Sequence, residues 1–225
     1  MPATRARTRL DEFGLIARYF KPLATSPAAL GLSDDTALLS PQPGEEMVMT
    51  ADMVTEGVHF LPDDKPASIA RKALRVNLSD LAAKGATPVG YLLSVALPHG
   101  NVATWLRSFT RGLKGDQAAY GVSLLGGDTV RSGTDKVTVA VTGIGRVPKG
   151  RAVLRRGARA GDRLMVSGTL GDATAGLALR RGKLAAGDLG RGRGQLLDRY
   201  LHPQPRTALA SALRRHANAA VDISD

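Results

Sequence analysis

A long amphipathic helix with an apolar strand predicted on either side most narrows the folds open to this chain. The segment 66–84 carries an apolar stripe at helical spacing, and the proline at its start suits a first helical turn. We expect Asp64 to cap this helix and Gly85 to end it. Apolar runs at 47–52 and 90–97 predict the flanking strands. The pattern favours a fold in which helices cover a sheet.

Further strands and helices follow along the chain. Turn residues separate runs that predict helices at 11–20, 101–121, 172–181 and 206–217, a turn entering a strand at 31–39, strands at 122–125, 136–145, 163–167 and 219–223, and a Gly/Arg loop at 187–194. Because the two element types mix without a strict strand–helix–strand rhythm, the sequence predicts an α/β or α+β fold. A chain of 225 residues can bury one full core or two small ones.

The positive charge of the chain is concentrated in its last third. A turn at 147–150 predicts a domain boundary, which divides the chain into 1–148 and 149–225. Residues 1–150 hold 17 Lys and Arg against 14 Asp and Glu, whereas residues 151–225 hold 14 against 6. The basic part could bind nucleic acid or a nucleoside polyphosphate, or could be a solvated surface. No zinc finger or RNA-recognition signature supports nucleic acid, so we expect none as a partner.

Several site classes are excluded by composition. The chain has no cysteine, which rules out disulfides, thiolate zinc sites, iron–sulfur clusters and a cysteine nucleophile. The longest uncharged stretch, 85–106, is interrupted by proline and glycine, and no apolar signal core follows the arginines near the N-terminus. We therefore expect a cytoplasmic protein with no membrane contact. The glycine-rich nucleotide-binding motifs are also absent, and the four histidines lack metal-ligand spacing.

Aspartates at the ends of predicted elements are the candidates for chemistry. They lie after a glycine turn, at a strand end, within an apolar helix, after paired glycines and around the last strand: Asp34, Asp35, Asp52, Asp80, Asp128, Asp222 and Asp225. Buried carboxylates are costly unless paired or metal-bound, and hard carboxylate oxygens suit Mg²⁺. A cluster could hold two or more ions that bridge phosphate oxygens. Each aspartate alone could instead be a turn residue, a cap or a solvent-facing side chain.

The aspartates belong to a set of short segments that follow one another along the chain. These segments are Asp11-Glu12-Phe13-Gly14-Leu15-Ile16, Gly31-Leu32-Ser33-Asp34-Asp35-Thr36-Ala37, Thr50-Ala51-Asp52, Gly57-Val58-His59-Phe60, Asn77-Leu78-Ser79-Asp80-Leu81-Ala82-Ala83-Lys84-Gly85-Ala86, Gly126-Gly127-Asp128-Thr129 and Asp222-Ile223-Ser224-Asp225. In this order they resemble thiamine-monophosphate kinase, and the resemblance covers nearly the whole chain from about residue 11. The resemblance implies an N-terminal mixed-sheet domain, like that of aminoimidazole ribonucleotide synthetase, that binds ATP and Mg²⁺ and pairs across a homodimer. An α/β domain should follow it, with the active site near the subunit interface.

The activity implied by the resemblance is transfer of the ATP γ-phosphoryl group to thiamine monophosphate, giving thiamine diphosphate. Several Mg²⁺ ions would neutralise the two polyanions and hold them in line, without an obligatory general base. The implied Mg²⁺ ligands are Asp35, Thr50, the backbone of Ala51, Asp52, Asp80, Asp128, Asp222 and Asp225. The implied ATP contacts are Gly127, Asp128, Arg155 and Ser224, and His59 should face thiamine monophosphate.

Three departures from the family pattern bear on these expectations. Ser33 stands where the family has a second glycine. Ala51 stands where the family has a threonine, which removes a hydroxyl but leaves a backbone carbonyl, so we expect one metal site to be weaker. The family also continues beyond Asp225 with a Gly-Leu pair and later with a Gly-Gly-Glu-Asp-Tyr segment and an aromatic that hold thiamine. We therefore expect 149–225 to be the first part of an incomplete α/β domain.

Two other functions stay open from the sequence. The same fold could carry out ATP-dependent ring closure, as in aminoimidazole ribonucleotide synthetase, although the Gly57-Val58-His59-Phe60 segment and the first helix favour the kinase. A non-enzymatic protein could bind nucleic acid through its basic residues 151–225. A panel of substrates distinguishes the kinase from the ring-closing synthetase. Salt-sensitive binding of DNA or RNA that does not depend on Mg²⁺ or ATP would indicate the nucleic-acid-binding protein.

Overall fold

A four-stranded mixed sheet organises the first two thirds of the molecule. The structure, a computed structural model, describes residues 11–100, 102–185 and 192–223. The strands are β1 (Glu45–Thr55), β2 (Thr87–Leu97), β3 (Ser123–Arg131) and β4 (Thr138–Pro148), in the order β1-β4-β2-β3. β4 is antiparallel to both neighbours, and β2 and β3 are parallel. The mixed α+β fold agrees with the fold class predicted from the sequence.

Six α-helices and several short turns complete the described part of the chain. They are α1 (Glu12–Leu15), continued by a π-helical turn at Ile16–Phe20 and a 3₁₀ turn at Lys21–Leu23, a 3₁₀ segment at Pro27–Leu32, α2 (Pro66–Ala83), α3 (Ala103–Tyr120), α4 (Asp172–Arg180), α5 (Gly192–Leu201), a 3₁₀ turn at Thr207–Leu209 and α6 (Ala210–His216). Gly85 and Gly121 follow α2 and α3 with positive φ, the conformation that commonly ends a helix. None of the helices in the described ranges is long and apolar enough to cross a bilayer.

The core lies between one face of the sheet and the helices α2 and α3. α2 packs against β1, β2 and β4, and α3 packs against α2. Alternate residues of the strands, such as Val139, Val141 and Leu93, are buried toward these helices. On the opposite face, Met49 and Met53 are 67% and 57% exposed. Part of this opposite face is also covered, since Leu125 and Ile144 are buried there against Ala29 of the 3₁₀ segment, whereas the part around Met49 and Met53 is open in the described residues.

The paired glycines lie inside a strand, contrary to the sequence-based expectation that they follow one. β3 pairs with β2 beyond Gly126 and Gly127 as far as Arg131, after a bulge that shifts the register near Leu92. A Cβ atom on Gly127 would lie 1.8 Å from the carbonyl oxygen of Leu93, so only glycine allows the two strands to stay paired there. Asp52 likewise lies inside β1, three residues before its end.

Three predicted strands are not formed in the described residues. The segments 36–39, 163–167 and 219–223 make no ladder with another strand. A strand needs a partner for its backbone groups, and an apolar run alone does not supply one. In the segment 163–167, the side chains of Leu164 and Met165 are exposed. In the segment 219–223, the N–H of Ala220 donates a single hydrogen bond to the carbonyl of Leu154.

Two further expectations are corrected by the structure. Residue 65 is the N-cap of α2 and makes no side-chain capping bond, so Asp64 is not the cap. The carboxylate of Asp64 instead accepts hydrogen bonds from the N–H of Leu61 and from Arg180. α5 begins within the glycine- and arginine-rich segment 187–194, for which the sequence predicts a loop, because glycine disfavours a helix. That loop lies partly outside the described residues.

Candidate functional site

The side chain of Asp80 is held by a hydroxyl on the neighbouring strand. α2 crosses the buried face of the sheet beside β1, which brings the last turns of the helix against Thr50. The Thr50 hydroxyl donates to Asp80 Oδ2 at 2.5 Å. A Cβ atom on Gly143, which pairs with Thr50 across β1 and β4, would lie 3.3 Å from the Thr50 methyl group. The absence of a side chain at Gly143 thus leaves room for the Thr50 side chain, whose hydroxyl holds one oxygen of Asp80.

Asp52 and Asp222 join Asp80 in one cluster of carboxylates. Burial, the charge of Asp80, a hydrogen bond with Asp80 and the charge of Asp52 raise the pKa of Asp222 to about 6. Partial burial and the charge of Asp80 raise the pKa of Asp52, and His59 opposes this shift. We name Asp52, Asp80 and Asp222 the carboxylate cluster. Their mutual repulsion is the electrostatic signature of a site suited to cations.

The donor chemistry of this cluster fits Mg²⁺, which prefers hard oxygen ligands. Three carboxylates and the Thr50 hydroxyl are available. Nevertheless, no three His, Asp or Glu side chains among the residues that the structure describes already form a group that could hold a metal ion. The side chains are close enough to interact electrostatically, and their rotamers would have to converge on a bound ion.

Lys84, at the end of α2, positions the segment that carries Asp222. Its ammonium donates to the carbonyl oxygen of Ala220 at 3.0 Å, and its own carbonyl accepts from the N–H of Val153 at 3.1 Å. The N–H of Ala220 in turn donates to the carbonyl of Leu154. Arg155 is the next residue along and is exposed. The end of α2 therefore gathers the segments of Asp222 and Arg155 beside the cluster.

Asp128 and Gly127 lie at the opposite edge of the sheet from Asp52. The pairing register runs from Asp52 through Val141 and Leu93 to Gly127, which crosses all four strands. Three strand spacings of about 4.8 Å separate the two edge backbones by about 14 Å. An Mg²⁺ ion bound at about 2 Å from each ligand cannot join Asp52 and Asp128 of one chain. The structure does not bring Asp128 into the carboxylate cluster.

Asp35 lies in an exposed segment outside the cluster. Three consecutive residues with positive φ, 30–32, turn the chain into this segment, and Asp34 accepts a bond from the N–H of Thr36. The predicted turn is therefore present, but the strand after it is not. Ser224 and Asp225 lie outside the described residues.

His59 lies on a tight turn with an exposed side chain at the end of β1. Its Nδ1 accepts from the N–H of Thr55 at 3.0 Å. Its carbonyl oxygen accepts from the ammonium of Lys72 on α2 at 2.9 Å. Sequence reasoning missed Lys72, although a lysine inside the apolar stripe between Ile69 and Ala73 was a visible signal that this side chain needs a partner.

Comparison with known proteins identifies the family. Residues 33–147 match the family model described as AIR synthase related protein, N-terminal domain. The thiamine-monophosphate kinase of Caulobacter vibrioides is 47% identical over 215 residues, which cover 95% of this chain. The chain belongs to the thiamine-monophosphate kinase family. It spans 59% of the length of the Caulobacter relative.

Solved structures of the thiamine-monophosphate kinase family share the fold. The enzyme from Stenotrophomonas maltophilia superposes with a TM-score of 0.81 at 40% identity, covering 96% of this chain and 68% of that one. A structure of AaThiL complexed with AMPPCP and TMP has a TM-score of 0.75 at 35% identity, covering 99% and 68%. The family resemblance expected from the ordered motifs is confirmed.

Proposed function

We propose that this chain binds ATP and thiamine monophosphate and takes part in moving the γ-phosphoryl group of ATP to thiamine monophosphate. The observation that carries the proposal is the carboxylate cluster, in which three carboxylates lie close enough to repel one another near the C-terminal end of α2. Membership of the thiamine-monophosphate kinase family supports the choice of substrates. So does the complex of AaThiL, 35% identical to this chain, with AMPPCP and TMP.

The residues of the chain would hold and orient the substrates rather than take part in covalent chemistry. The carboxylate cluster and Thr50 would hold Mg²⁺, with Asp35, the backbone of Ala51, Asp128 and Asp225 as further proposed ligands. Bound Mg²⁺ would neutralise phosphate charge during in-line transfer. The exposed guanidinium of Arg155 offers a planar fork to phosphate oxygens, and Gly127, Asp128 and Ser224 would add further ATP contacts. The acceptor oxygen of a phosphate monoester is largely ionised near neutral pH, so no general base is assigned.

We further propose that two copies pair through the open face and edges of the sheet. Met49, Met53 and Val130 are exposed on the face opposite α2 and α3, and apolar patches of this kind mark interfaces. Asp128 lies too far from Asp52 of its own chain to share an ion with it. A second copy could bring its own β3 edge to the cluster, which would complete the proposed ligand set. Size measurements by sedimentation would test the dimer, and a monomer at high concentration would contradict it.

The division of the chain into two units also bears on the proposed function. We propose that residues 1–148 form the ATP- and Mg²⁺-binding unit and that 149–225 begin a second α/β domain, since the family model ends at 147. The use of ATP and thiamine monophosphate supports a cytoplasmic location. It also supports a phosphate-binding role for the basic residues of 149–225, with neither nucleic acid nor membrane as a partner.

The test is Mg²⁺-dependent binding of a non-hydrolysable ATP analogue, together with phosphoryl transfer from ATP to thiamine monophosphate. Asp80→Asn should weaken analogue binding by about a hundredfold, because it removes a charge from the centre of the cluster. Asp135→Asn, an exposed aspartate outside the cluster, is the matched control. Equal binding by both variants would remove Asp80 from the site. ATP consumption with the ring-closure substrate instead of thiamine monophosphate would favour a synthetase.

A further inference from the structure

We propose that Lys72 is a positioning residue for the acceptor site: held by Tyr200, its ammonium fixes the turn that carries His59 and links that turn to α5. The link to the acceptor rests on the proposed function, in which His59 faces thiamine monophosphate. The contacts between Lys72 and the turn stand independently of that function.

The turn after β1 is closed by its own backbone but needs an outside contact to orient it. The N–H of His59 donates to the carbonyl of Thr55 at 2.9 Å, and the N–H of Gly57 donates to the carbonyl of Phe60 at 2.8 Å. The side chain of His59 folds back to accept from the N–H of Thr55. The bond from Lys72 to the carbonyl of His59 ties this unit to α2 at the residue that would meet the substrate.

Lys72 is confined to this position by its surroundings. The residue is only 8% exposed, and its ammonium lies 3.6 Å from the centre of the Tyr200 ring. A buried ammonium is costly unless it finds hydrogen-bond acceptors or an aromatic face. The carbonyl of His59 supplies the hydrogen-bond acceptor, and the ring of Tyr200 supplies the aromatic face. Moving the turn or α5 would therefore remove one of the two contacts that compensate the buried charge.

Tyr200 is itself fixed by a buried carboxylate. Its hydroxyl donates to Asp64 Oδ2 at 3.2 Å, and Arg180 on α4 donates to Asp64 Oδ1 at 2.7 Å. Asp64 also accepts from the N–H of Leu61, which lies two residues after His59. The helices α4 and α5 are thus connected to both sides of the His59 turn, through Lys72 on one side and Asp64 on the other.

Lys72 lies in the middle of a stripe of α2 that contacts the end of α5. The neighbours in this stripe are Ser68 and Arg75, at spacings of four and three residues. The Ser68 hydroxyl lies 3.0 Å from His202 Nε2, and Arg75 donates to the carbonyl of Pro203 at 3.3 Å. Of these three side chains, Lys72 is the one that donates a hydrogen bond to the His59 turn. Ser68→Ala is therefore a matched control, since it removes the contact to His202, the residue directly after α5, without touching the turn.

The experiment compares the full chain with Lys72→Met, Lys72→Arg and Ser68→Ala. Calorimetry measures the affinities for thiamine monophosphate and for a non-hydrolysable ATP analogue with Mg²⁺. NMR follows the amide of Thr55 and the ring nitrogens of His59. We expect Lys72→Met to weaken thiamine monophosphate binding about tenfold, to change analogue binding less than about twofold, and to shift both NMR signals. Lys72→Arg should restore part of the affinity, and Ser68→Ala should change none of the readouts.

Two results would overturn the positioning role. One is unchanged Thr55 and His59 signals in Lys72→Met, and the other is an equal loss of affinity for both ligands, which indicates general loosening. If Lys72→Met does not fold, Tyr200→Leu replaces it, with the same expected pattern at a smaller size. A wild-type chain that binds no thiamine monophosphate would overturn the proposed function and the acceptor role of Lys72 together. The NMR signals would still decide separately whether Lys72 fixes the turn.

Discussion

Residues 11–148 and residues 149–223 are stabilised in different ways. The first region buries a continuous apolar core between the sheet, α2 and α3. Beyond residue 148, the buried apolar side chains among the described residues are Val153, Tyr200 and Ala210. The contacts that attach the second region to the first include hydrogen bonds and ion pairs to α2 and to the segment before it. Apolar burial stabilises the first region, whereas directional polar contacts set the placement of the second.

This difference predicts that the two regions respond to different substitutions. Changes in the sheet should unfold the first region and with it the surface on which the second lies. Changes at the polar contacts should release α4, α5 or the segment of Asp222 while the sheet stays folded. Hydrogen exchange distinguishes the two outcomes, because local opening exposes only the amides of the released region.

The largest effect is expected for Gly127→Ala. A Cβ atom there would lie 1.8 Å from the carbonyl oxygen of Leu93, and φ at Gly127 is +156°, so β2 and β3 cannot stay paired without a backbone shift. We expect a loss of at least about 3 kcal/mol in the free energy of unfolding, measured by urea denaturation. Gly126→Ala is the adjacent control, since its Cβ would meet Leu92 at an ordinary 3.5 Å. Similar losses in the two variants would show that the close approach of the strands is not the cause.

A smaller and more local effect is expected for Asp64→Asn. The buried carboxylate of Asp64 accepts from Arg180, Leu61 and Tyr200, and losing its charge weakens the attachment of α4 and α5. We expect a loss of about 2 kcal/mol and faster hydrogen exchange in α4 and α5, with the amides of β4 unchanged.

Asp63→Asn is the control for this contact. Asp63 pairs with the same guanidinium at 2.8 Å, but its side chain is 73% exposed. Solvent screens such a pair, so we expect a loss of less than about 0.5 kcal/mol. If both substitutions cost the same, burial does not set the strength of the contact between the two regions.

Lys84→Met tests whether the polar attachment also serves the candidate site. Without its ammonium, the carbonyl of Ala220 loses a donor, and the segment that carries Asp222 is held less firmly beside Asp80. We expect Mg²⁺-dependent binding of an ATP analogue to weaken about fivefold, with little change in the unfolding of the sheet. Lys149→Met removes an exposed positive charge nearby and controls for the change in net charge. Equal weakening by both variants would indicate a general electrostatic effect.

The sequence predicted best the elements whose partners lie nearby in the same chain. The helix 66–84 and the strand 90–97 form close to their predicted bounds, since Pro66 and Gly85 delimit α2 and the sheet covers the apolar stripe. The segments 163–167 and 219–223 have strand-like composition but find no strand to pair with in the described residues. Hydrophobic pattern reports a preference for extended backbone, and pairing decides whether a strand forms.

In the candidate site too, the sequence predicted individual residues better than the contacts between distant segments. The sequence singled out Asp80 as an aspartate within an otherwise apolar helix, and the structure places Thr50, Asp52 and Asp222 beside it. Sheet order, which spacing does not reveal, puts Asp128 on the far edge. Lys72 was missed for a related reason, because its partner Tyr200 is 128 positions away in the chain.

The smallest effect expected is a pH dependence of stability that arises from the ionisation of Lys72. Burial lowers the pKa of Lys72 to about 8 from its ordinary value of 10.5, with Asp64 opposing the shift and Arg180 adding to it. Below pH 8 both the folded and the unfolded chain carry the ammonium, and the folded chain bears its full cost. Between pH 8 and 10.5 the folded chain binds fewer protons than the unfolded chain, so this contribution to stability rises with pH.

Lys72→Met removes that contribution, and comparing the two chains isolates it from other groups. The free energy of unfolding of wild type minus that of the variant should therefore increase from pH 8 to 9.5, by no more than about 1.4 kcal/mol per pH unit. The range stops at 9.5 because burial and Asp64 raise the pKa of Tyr200 to about 12. Above pH 10 its ionisation in the unfolded chain alone would lower stability. Urea denaturation at four pH values measures the difference. A difference that stays constant would mean that the ammonium is solvated, and that the contact between α2 and α5 does not enclose Lys72 as tightly as its 8% exposure indicates.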